Sequence, residues 1–149
     1  MEIERKYLVK KLPENYRDFP SKELEQGYLC TEPVVRVRRA DDKFTLTYKG
    51  RGLMVREEYN LPLTEEAYQH LRAKADGILI HKIRYNIPYK KKYTIELDVF
   101  LDDLAPLILA EVEFSTEEEA NAFLPPDWFG EDVTFSTEYH NSTLSRKPG

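Results

Sequence analysis

Charged and apolar side chains alternate along the start of the chain. Side chains of an extended strand point alternately to its two faces, so Glu2, Glu4 and Lys6 share one face. The other face is predicted to belong to the core and carries Ile3, Tyr7 and Val9. Taken alone, this pattern is typical of an amphipathic strand with one solvated face.

The same two-residue period predicts seven further strands. Their expected ranges are 22–29, 34–40, 43–49, 54–61, 78–88, 93–101 and 107–114. Gly27 is expected at a bulge in the first of these strands, because glycine tolerates the irregular backbone of a bulge. The chain therefore reads as eight strands with few helices between them.

Helical signals occur at three places. Thr64 is expected to cap a helix that ends near Asp76 and Gly77, and Thr116 to cap a short helix reaching Phe123. Residues 136–144 are expected to form a last helix. An apolar cover over the strands is expected from Trp128, Phe129, Val133 and Phe135.

Most polar strand faces carry charges of one sign. The like-charged pairs are Glu2 with Glu4, Arg36 with Arg38, Lys82 with Arg84, Glu96 with Asp98, and Glu111 with Glu113. Like charges at such spacing repel, so groups of opposite charge are expected to compensate them. Cations would neutralise the acidic pairs, and a polyanion would neutralise the basic pairs. A lattice of internal salt bridges without any ligand is the alternative, although buried ion pairs contribute little net stability.

The order of these charged motifs resembles the CYTH superfamily, whose members are also called triphosphate tunnel metalloenzymes. The motifs are Glu-x-Glu-x-Lys at 2–6, Arg-x-Arg at 36–38, Lys-x-Arg at 82–84, Glu-x-Asp at 96–98 and Glu-x-Glu at 111–113. Two less charged marks support the resemblance, at residues 26–29 and 126–130. The similarity extends from Glu2 to about Leu144.

The resemblance implies an α+β fold in one domain, residues 1–149. The fold would be an eight-stranded, mainly antiparallel β-barrel whose charged faces line a polar tunnel, flanked by a few helices. Closing the sheet removes its exposed edges. Periodicity alone does not decide which face of the strands is inside.

The resemblance also implies the site. Metal binding by Mg²⁺ or Mn²⁺ would fall to Glu2, Glu4, Glu58, Glu96, Asp98, Glu111 and Glu113. Phosphate binding would fall to Lys6, Arg36, Arg38, Lys49, Arg56, Lys82 and Arg84. The residues implied to act directly in catalysis are Lys6, Glu4 and Glu113. The assignment of Glu58 is open, because a register slip of one residue would exchange it with Glu57.

The implied activity is hydrolysis of inorganic tripolyphosphate to pyrophosphate and phosphate. Four alternatives stay open: a nucleoside triphosphatase, a thiamine triphosphatase, a class IV-type adenylate cyclase and a polyphosphate-binding module without turnover. The chain starts one residue before the first motif, and no pocket for an organic group is evident, which favours the inorganic substrate. The base that activates the attacking water is left open between a carboxylate and a metal hydroxide.

The composition of the chain limits the binding partners and the location that we expect. A formal net charge of −5 does not favour a nucleic-acid backbone as partner. The single cysteine, Cys30, excludes an intrachain disulfide, and no run is apolar enough for a membrane span. We therefore expect a cytoplasmic protein acting on a small triphosphate, with the oligomeric state, including a homodimer, left open.

Several residues with chemical potential receive a plain interpretation. The loop Gly50–Gly52 lacks the spacing of a Walker-type phosphate loop, and Lys90–Lys92 is predicted to be a solvated turn. The histidines are expected to be surface or packing residues: His70, His81 and His140. Tyr28 is equally compatible with the tunnel lining and with the core.

Overall fold

The computed structural model describes residues 1–146. Its strands are β1 (Glu2–Val9), β2 (Ser21–Thr31), β3 (Val34–Ala40), β4 (Lys43–Lys49), β5 (Val55–Arg56), β6 (Glu58–Pro62), β7 (Asp76–Tyr89), β8 (Tyr93–Phe100), β9 (Ile108–Glu113) and β10 (Phe129–Asp132). Its α-helices are α1 (Glu65–Arg72), α2 (Glu117–Ala122) and α3 (Asn141–Leu144). Short 3-10 turns occupy Tyr16–Asp18, Asp102–Leu104 and Thr137–Tyr139.

The strands form a nearly closed antiparallel barrel, which confirms the predicted architecture. Its wall runs in the order β1, β9, β8, β7, β2, β3, β4 and β6. The ring is completed by β5, which precedes β6 in the chain and pairs with the start of β1, Arg56 lying opposite Glu2 and Val55 opposite Ile3. Eight wall positions are thus filled, β5 and β6 sharing one of them.

Two features of the wall differ from the expected strands. The predicted strand over 54–61 is divided at Glu57, because its first part, β5, pairs with β1 and its second part, β6, pairs with β4. A strand that changes partners cannot keep one straight ladder. The second difference is β10, which was not expected and which pairs with β1 near Tyr7 and Val9, on the edge opposite β9.

The main apolar core lies outside the barrel wall. Tyr7, Leu97 and Val112 point outward and pack against Phe123 and Phe129, which follow α2. Phe123 lies 5.2 to 6.5 Å, centroid to centroid, from five other aromatic rings. The expected arrangement, with apolar faces outside and charged faces inside, is therefore the observed one.

The apolar cover is smaller than expected. Phe129 and Val133 are buried and Trp128 packs against the core, but Phe135 is 64% exposed. A turn in which the Ser136 amide donates to the Val133 carbonyl at 3.0 Å leaves Phe135 at its tip, facing solvent. The expectation that Phe135 belongs to the cover is wrong.

The first two helices start as predicted, but α1 ends earlier than expected and the third helix starts later. Thr64 accepts a hydrogen bond from the Ala67 amide at 3.1 Å, and Thr116 accepts one from the Glu119 amide at the same distance. Helix α1 ends at Arg72, so Gly77 is not its stop. Gly77 lies in β7 with φ +67°, where an added Cβ would lie 2.1 Å from the Ser145 carbonyl oxygen. The expected helix over 136–144 is shorter, since only α3 forms an α-helix there.

Gly27 marks a bulge in β2, as predicted. The pairing of β2 with β7 shifts register between Gln26 and Tyr28. A Cβ on Gly27 would lie 2.7 Å from the Ala75 Cβ, so only glycine fits this approach without a shift. None of the helices within residues 1–146 has the length and apolarity that crossing a membrane requires.

Candidate active site

The interior of the barrel carries acidic residues on one wall and basic residues on the other. The acidic wall is formed by the adjacent strands β1, β9 and β8, and its carboxylates are Glu2, Glu4, Glu96, Asp98, Glu111 and Glu113. The basic wall is formed by β7, β3, β4 and β5, and its cations are Lys82, Arg84, Arg36, Arg38, Lys49 and Arg56. Among the predicted site residues, only Lys6 on β1 and Glu58 on β6 depart from this division.

Two connected chambers lie between these walls. The carboxylate chamber has a volume of about 210 Å³. It is lined by Glu2, Glu4, Arg36, Arg38, Lys49, Glu58, Asn60, Arg84, Glu96, Glu111, Glu113 and Asn141. The cation chamber is a smaller space of about 30 Å³. It is lined by Glu4, Lys6, Tyr28, Val34, Arg36, Lys49, Arg56, His140, Asn141 and Ser142.

The chambers bring together twelve of the fourteen predicted site residues. Glu58 faces the carboxylate chamber, so the structure decides in its favour over its exposed neighbour Glu57. Tyr28 lines the cation chamber and is also packed in a core cluster, so both interpretations of it hold. The described lining of the two chambers does not include Lys82 or Asp98.

Lys82 and Asp98 form a buried support behind the chamber surface. Both side chains are fully buried, and Lys82 Nζ donates to Asp98 Oδ2 at 2.6 Å. Arg84 donates to both oxygens of Asp98, at 2.7 and 2.9 Å. Burial lowers the pKa of Lys82 to about 7 despite this partner. The geometry fits a role in holding Arg84 in the chamber better than direct contact with a ligand.

Carboxylates on the acidic wall crowd one another. Glu4 lies directly opposite Glu113 across β1 and β9, and Glu96 lies opposite Glu111 across β8 and β9. Side chains directly opposite in an antiparallel pair have Cβ atoms roughly 5 Å apart, where like charges repel. Burial, and then the neighbouring Glu111, raise the pKa of Glu4 to about 8. A proton or a cation is thus favoured at this position.

The acidic wall has capacity for a divalent cation. Glu111 Oε1 is buried and, among the described residues, accepts no hydrogen bond, although Lys6 Nζ lies 3.4 Å away. Glu4 forms no ion pair with a lysine or arginine in the described part of the chain. Carboxylate oxygens are the ligands that Mg²⁺ prefers. Glu2, Glu4, Glu96, Glu111 and Glu113 therefore fit a metal site.

No complete metal cluster is formed by these side chains. Within residues 1–146, no three His, Cys, Asp or Glu side chains converge closely enough to hold an ion. Several of the carboxylates form ion pairs with lysine or arginine instead. Lys49 Nζ lies 2.9 Å from Glu2 and 3.4 Å from Glu58. Arg84 lies 3.3 Å from Glu96. These lysine and arginine side chains neutralise part of the acidic wall.

Two guanidinium groups of the basic wall, those of Arg36 and Arg38, lack a carboxylate partner among residues 1–146. Arg36 Nη2 donates to Thr47 at 3.2 Å, while its buried Nε has no hydrogen-bond partner in the described residues. Arg38 Nε donates to the neutral amide of Gln26 at 2.7 Å. Burial, and then the positive charges of Arg36 and Arg84, lower the pKa of Arg38. These neighbouring cations favour an anion between them.

Sequence reasoning missed several polar residues of the interior. Gln26 and Asn60 hold Arg38 and Thr47 by hydrogen bonds, the Thr47 hydroxyl donating to Asn60 Oδ1 at 2.6 Å. The two-residue period of the strands could have indicated both residues. Gln26 shares a face with Tyr28 on β2, and Asn60 shares a face with Glu58 on β6. His140, Asn141 and Ser142 also line the cation chamber. Their segment has no strand periodicity, so no pattern indicated them.

His140 departs from the expectation that the histidines are surface or packing residues. Its ring lines the cation chamber, and its Nε2 lies 3.4 Å from the Thr134 carbonyl oxygen. Burial, and then Lys6, lower its pKa. His81 agrees better with the expectation, since it lies on the outer surface between Glu23 and Asp102.

The carboxylate chamber adjoins a wide vestibule. This hollow has a volume of about 530 Å³ and shares Glu96 and Glu113 with the chamber. Its wall includes the aromatic rings of Tyr93 and Phe114, and Lys92. Sequence reasoning did not indicate this space, since no pocket for an organic group was evident in the sequence.

Comparisons with known proteins agree with this geometry. The family model described as CYTH domain matches residues 1–147. An inorganic triphosphatase from Nitrosomonas europaea is 37% identical over 147 residues, covering 97% of this chain and 96% of its own. An inorganic triphosphatase from Acetivibrio thermocellus is 34% identical over 153 residues, covering 99% and 94%.

Solved structures show the same fold. A crystal structure of an inorganic triphosphatase has a TM-score of 0.74 and 36% identity, covering 100% of this chain and 97% of the other. A putative adenylyl cyclase from Hippeastrum, described with a dominant triphosphatase activity, has a TM-score of 0.63. It is 15% identical and covers 82% of this chain and 83% of its own, so it supports the fold alone.

Proposed function

The chain belongs to the CYTH domain family, and from this membership we propose that it hydrolyses inorganic tripolyphosphate to pyrophosphate and phosphate inside the barrel. The relatives that cover nearly its full length are inorganic triphosphatases. One observation carries the proposal: the interior separates carboxylates and cations onto facing walls, and each wall has one buried polar atom, Glu111 Oε1 or Arg36 Nε, without a hydrogen-bond partner among residues 1–146.

The basic wall would bind and orient the triphosphate. Arg36 and Arg38 lack carboxylate partners among residues 1–146 and offer N–H groups to non-bridging oxygens, Arg36 through a free Nε. Asp98 holds two nitrogens of Arg84, so this guanidinium is fixed before the substrate arrives. Because charge develops on the terminal phosphate oxygens, pre-oriented cations stabilise the transition state without reorganisation.

The acidic wall would hold the metal on which the family depends. The residues placed for it are Glu2, Glu4, Glu96, Glu111 and Glu113. A bound divalent cation would neutralise phosphate charge and would lower the pKa of a water bound to it. The choice between Mg²⁺ and Mn²⁺ and the cytoplasmic location stay predictions.

A direct assay tests the activity. Purified protein is incubated with tripolyphosphate, ATP or thiamine triphosphate and with Mg²⁺ or Mn²⁺, and both phosphate and pyrophosphate are measured. We expect fast release of both products from tripolyphosphate and much slower turnover of ATP. Binding of tripolyphosphate without phosphate release would identify a binding module, and a cyclic nucleotide product would identify a cyclase.

The vestibule favours a nucleoside triphosphatase as the second candidate. Tyr93 is a partly exposed ring that lines the vestibule together with Glu96 and Glu113, so a nucleobase would pack there while its phosphates enter the carboxylate chamber. Tyr93→Ala should then lower kcat/KM for ATP and leave that for tripolyphosphate unchanged. Equal ratios of the two constants in wild type and variant would remove this candidate.

A further inference from the structure

A further cavity is lined in part by the C-terminal segment, residues 137–146. This back pocket has a volume of about 310 Å³, within the range of ligand sites. It is lined by Thr31, Glu32, Pro33, Val34, Gly50, Arg51, Gly52, Leu53, Arg56, Thr137, His140, Ser142, Thr143 and Arg146. Three separate parts of the chain therefore meet here.

The back pocket is rich in groups that bind phosphate. Arg51, Arg56 and Arg146 supply three guanidiniums, and four threonine and serine hydroxyls from the C-terminal segment and β2 add neutral donors. Arginine binds phosphate oxygens in bidentate fashion, and hydroxyls complete such sites. Glu32 is the one acidic side chain in the described lining, and it pairs with Arg51 at 3.4 Å. The pocket therefore keeps a net positive lining.

The loop that carries Arg51 is built for this position. Gly52 has φ +130°, and an added Cβ would lie 2.2 Å from the Val55 carbonyl oxygen. The Gly50 amide donates to the Glu57 carbonyl at 3.1 Å, and Arg56 Nε donates to the Gly50 carbonyl at 3.1 Å. The short loop is thereby fixed against the barrel wall, and Arg51 projects from it at the pocket. Although this loop lacks a Walker-type spacing, it is basic and it borders a cavity.

The back pocket adjoins the interior of the barrel. It shares Val34, Arg56, His140 and Ser142 with the cation chamber. The side chains of Arg56 and His140 thus form part of the wall between the two spaces. An anion in the back pocket and an anion in the cation chamber would both contact Arg56, which couples the two positions.

We propose that the back pocket is a second phosphate site, separate from the one that holds the triphosphate. Its ligand is a phosphate group, supplied either by free orthophosphate leaving the barrel or by the distal unit of a polyphosphate longer than three units. The site itself does not require turnover, whereas the choice between these two sources rests on the proposed function.

Calorimetry tests the site without relying on activity. Orthophosphate and tetrapolyphosphate are titrated, in EDTA, into wild type, Arg51→Ala, Arg146→Ala and the control Arg17→Ala, which removes an exposed arginine elsewhere. Arg51 is 86% exposed, so its removal should leave the fold intact. We expect Arg51→Ala and Arg146→Ala to weaken one binding step about tenfold, as for the loss of a hydrogen bond to a charged group. Affinities equal to those of Arg17→Ala in both variants would overturn the proposal.

Kinetics then separates the two sources. If the distal phosphate of a longer chain binds here, Arg51→Ala lowers kcat/KM for tetrapolyphosphate about tenfold and leaves tripolyphosphate unchanged. If orthophosphate binds here, the variant raises the inhibition constant of orthophosphate about tenfold and leaves both substrates unchanged. A protein that shows no turnover but loses phosphate affinity in Arg51→Ala would refute the proposed function and keep the second site.

Discussion

The inner and outer faces of the same barrel strands use charge in opposite ways. On the outer face, carboxylates are closely paired with cations that tie two elements together: Glu25 accepts from Arg72 at 2.6 Å and from the Tyr68 hydroxyl at 2.8 Å, linking β2 to α1. On the inner face, like charges are neighbours, and Arg36 Nε and Glu111 Oε1 have no hydrogen-bond partner among the described residues. The outer carboxylate of Glu25 thus has hydrogen-bond donors within the protein, whereas these two inner atoms have no hydrogen-bond partner in the described part of the chain.

This difference teaches how a charged interior can be recognised as functional. Buried ion pairs contribute little net stability even when well matched, and unmatched ones cost more. An interior that collects carboxylates on one wall and guanidiniums on the other is therefore explained by binding, not by folding. Substitutions on the inner face should change activity, and those on the outer face should change stability.

Metal removal should have the largest effect and should act on the inner face alone. We expect EDTA to abolish turnover and Mg²⁺ or Mn²⁺ to restore it, because Glu4 lies opposite Glu113 and, among residues 1–146, neither forms an ion pair with a lysine or arginine. The unfolding midpoint measured by circular dichroism should stay the same, since lysines and arginines neutralise the carboxylates without metal. Full activity at equilibrium with the chelator would refute the metal role.

Two adjacent arginines on β3 provide the sharpest test of the comparison. Arg38 lines the carboxylate chamber, whereas Arg39 lies on the other face, 3.9 Å from Glu23. Arg38→Ala should lower kcat/KM for tripolyphosphate roughly ten- to a hundredfold, as for the loss of a hydrogen bond to a charged group. Arg39→Ala should leave kcat/KM unchanged. Equal losses of kcat/KM in both variants would mean that the two faces of β3 do not have separate roles in activity.

Neighbouring residues on β9 separate activity from stability. Glu113→Gln keeps the side-chain shape but removes a charge from the acidic wall, so its loss of activity should be partly restored by more metal. Val112 is fully buried in the outer core, and Val112→Ala should lower the free energy of unfolding by about 2 kcal/mol. Denaturant melts and metal titrations of both variants measure these effects. A Val112→Ala protein with normal stability but no activity would reverse the assignment of faces.

The smallest expected effect is a pH-dependent contribution from His81 on the outer face. Burial lowers its pKa, but hydrogen bonds to Asp102 and Glu23 more than offset this, so the net pKa is raised. A raised pKa means that the folded state favours the protonated ring, so this stability is present below about pH 6.5. It is lost as the pH rises through the raised pKa. Its size at an exposed site is about 0.5 kcal/mol.

Comparing unfolding free energies of wild type and His81→Gln at pH 5.5 and pH 8.5 measures this contribution. The difference should be larger at the lower pH. A difference that does not change between the two pH values would show that the two carboxylates do not stabilise the charged ring.

The sequence alone determined which residues share a face. The period of a strand is two residues, so the placement of Glu2 beside Glu4, or of Arg36 beside Arg38, is local and readable from the chain. The sorting of charges by sign and the order of the motifs then indicated the family and the barrel. Twelve predicted residues reach the chambers for this reason.

The tertiary structure decided what depends on contacts distant in the chain. Which face is inside follows from barrel closure, which β5 completes by pairing with β1 some fifty residues earlier in the sequence. Lys82 and Asp98 lie on the inner faces of their strands, yet close packing buries them behind Arg84. The period of a strand predicts the face of a residue but not how deeply its side chain is buried. His140 and Asn141 reach the interior through an irregular segment that no periodic signal marks. Local pattern fixes orientation along a strand, but only long-range packing fixes which of the oriented groups a ligand can touch.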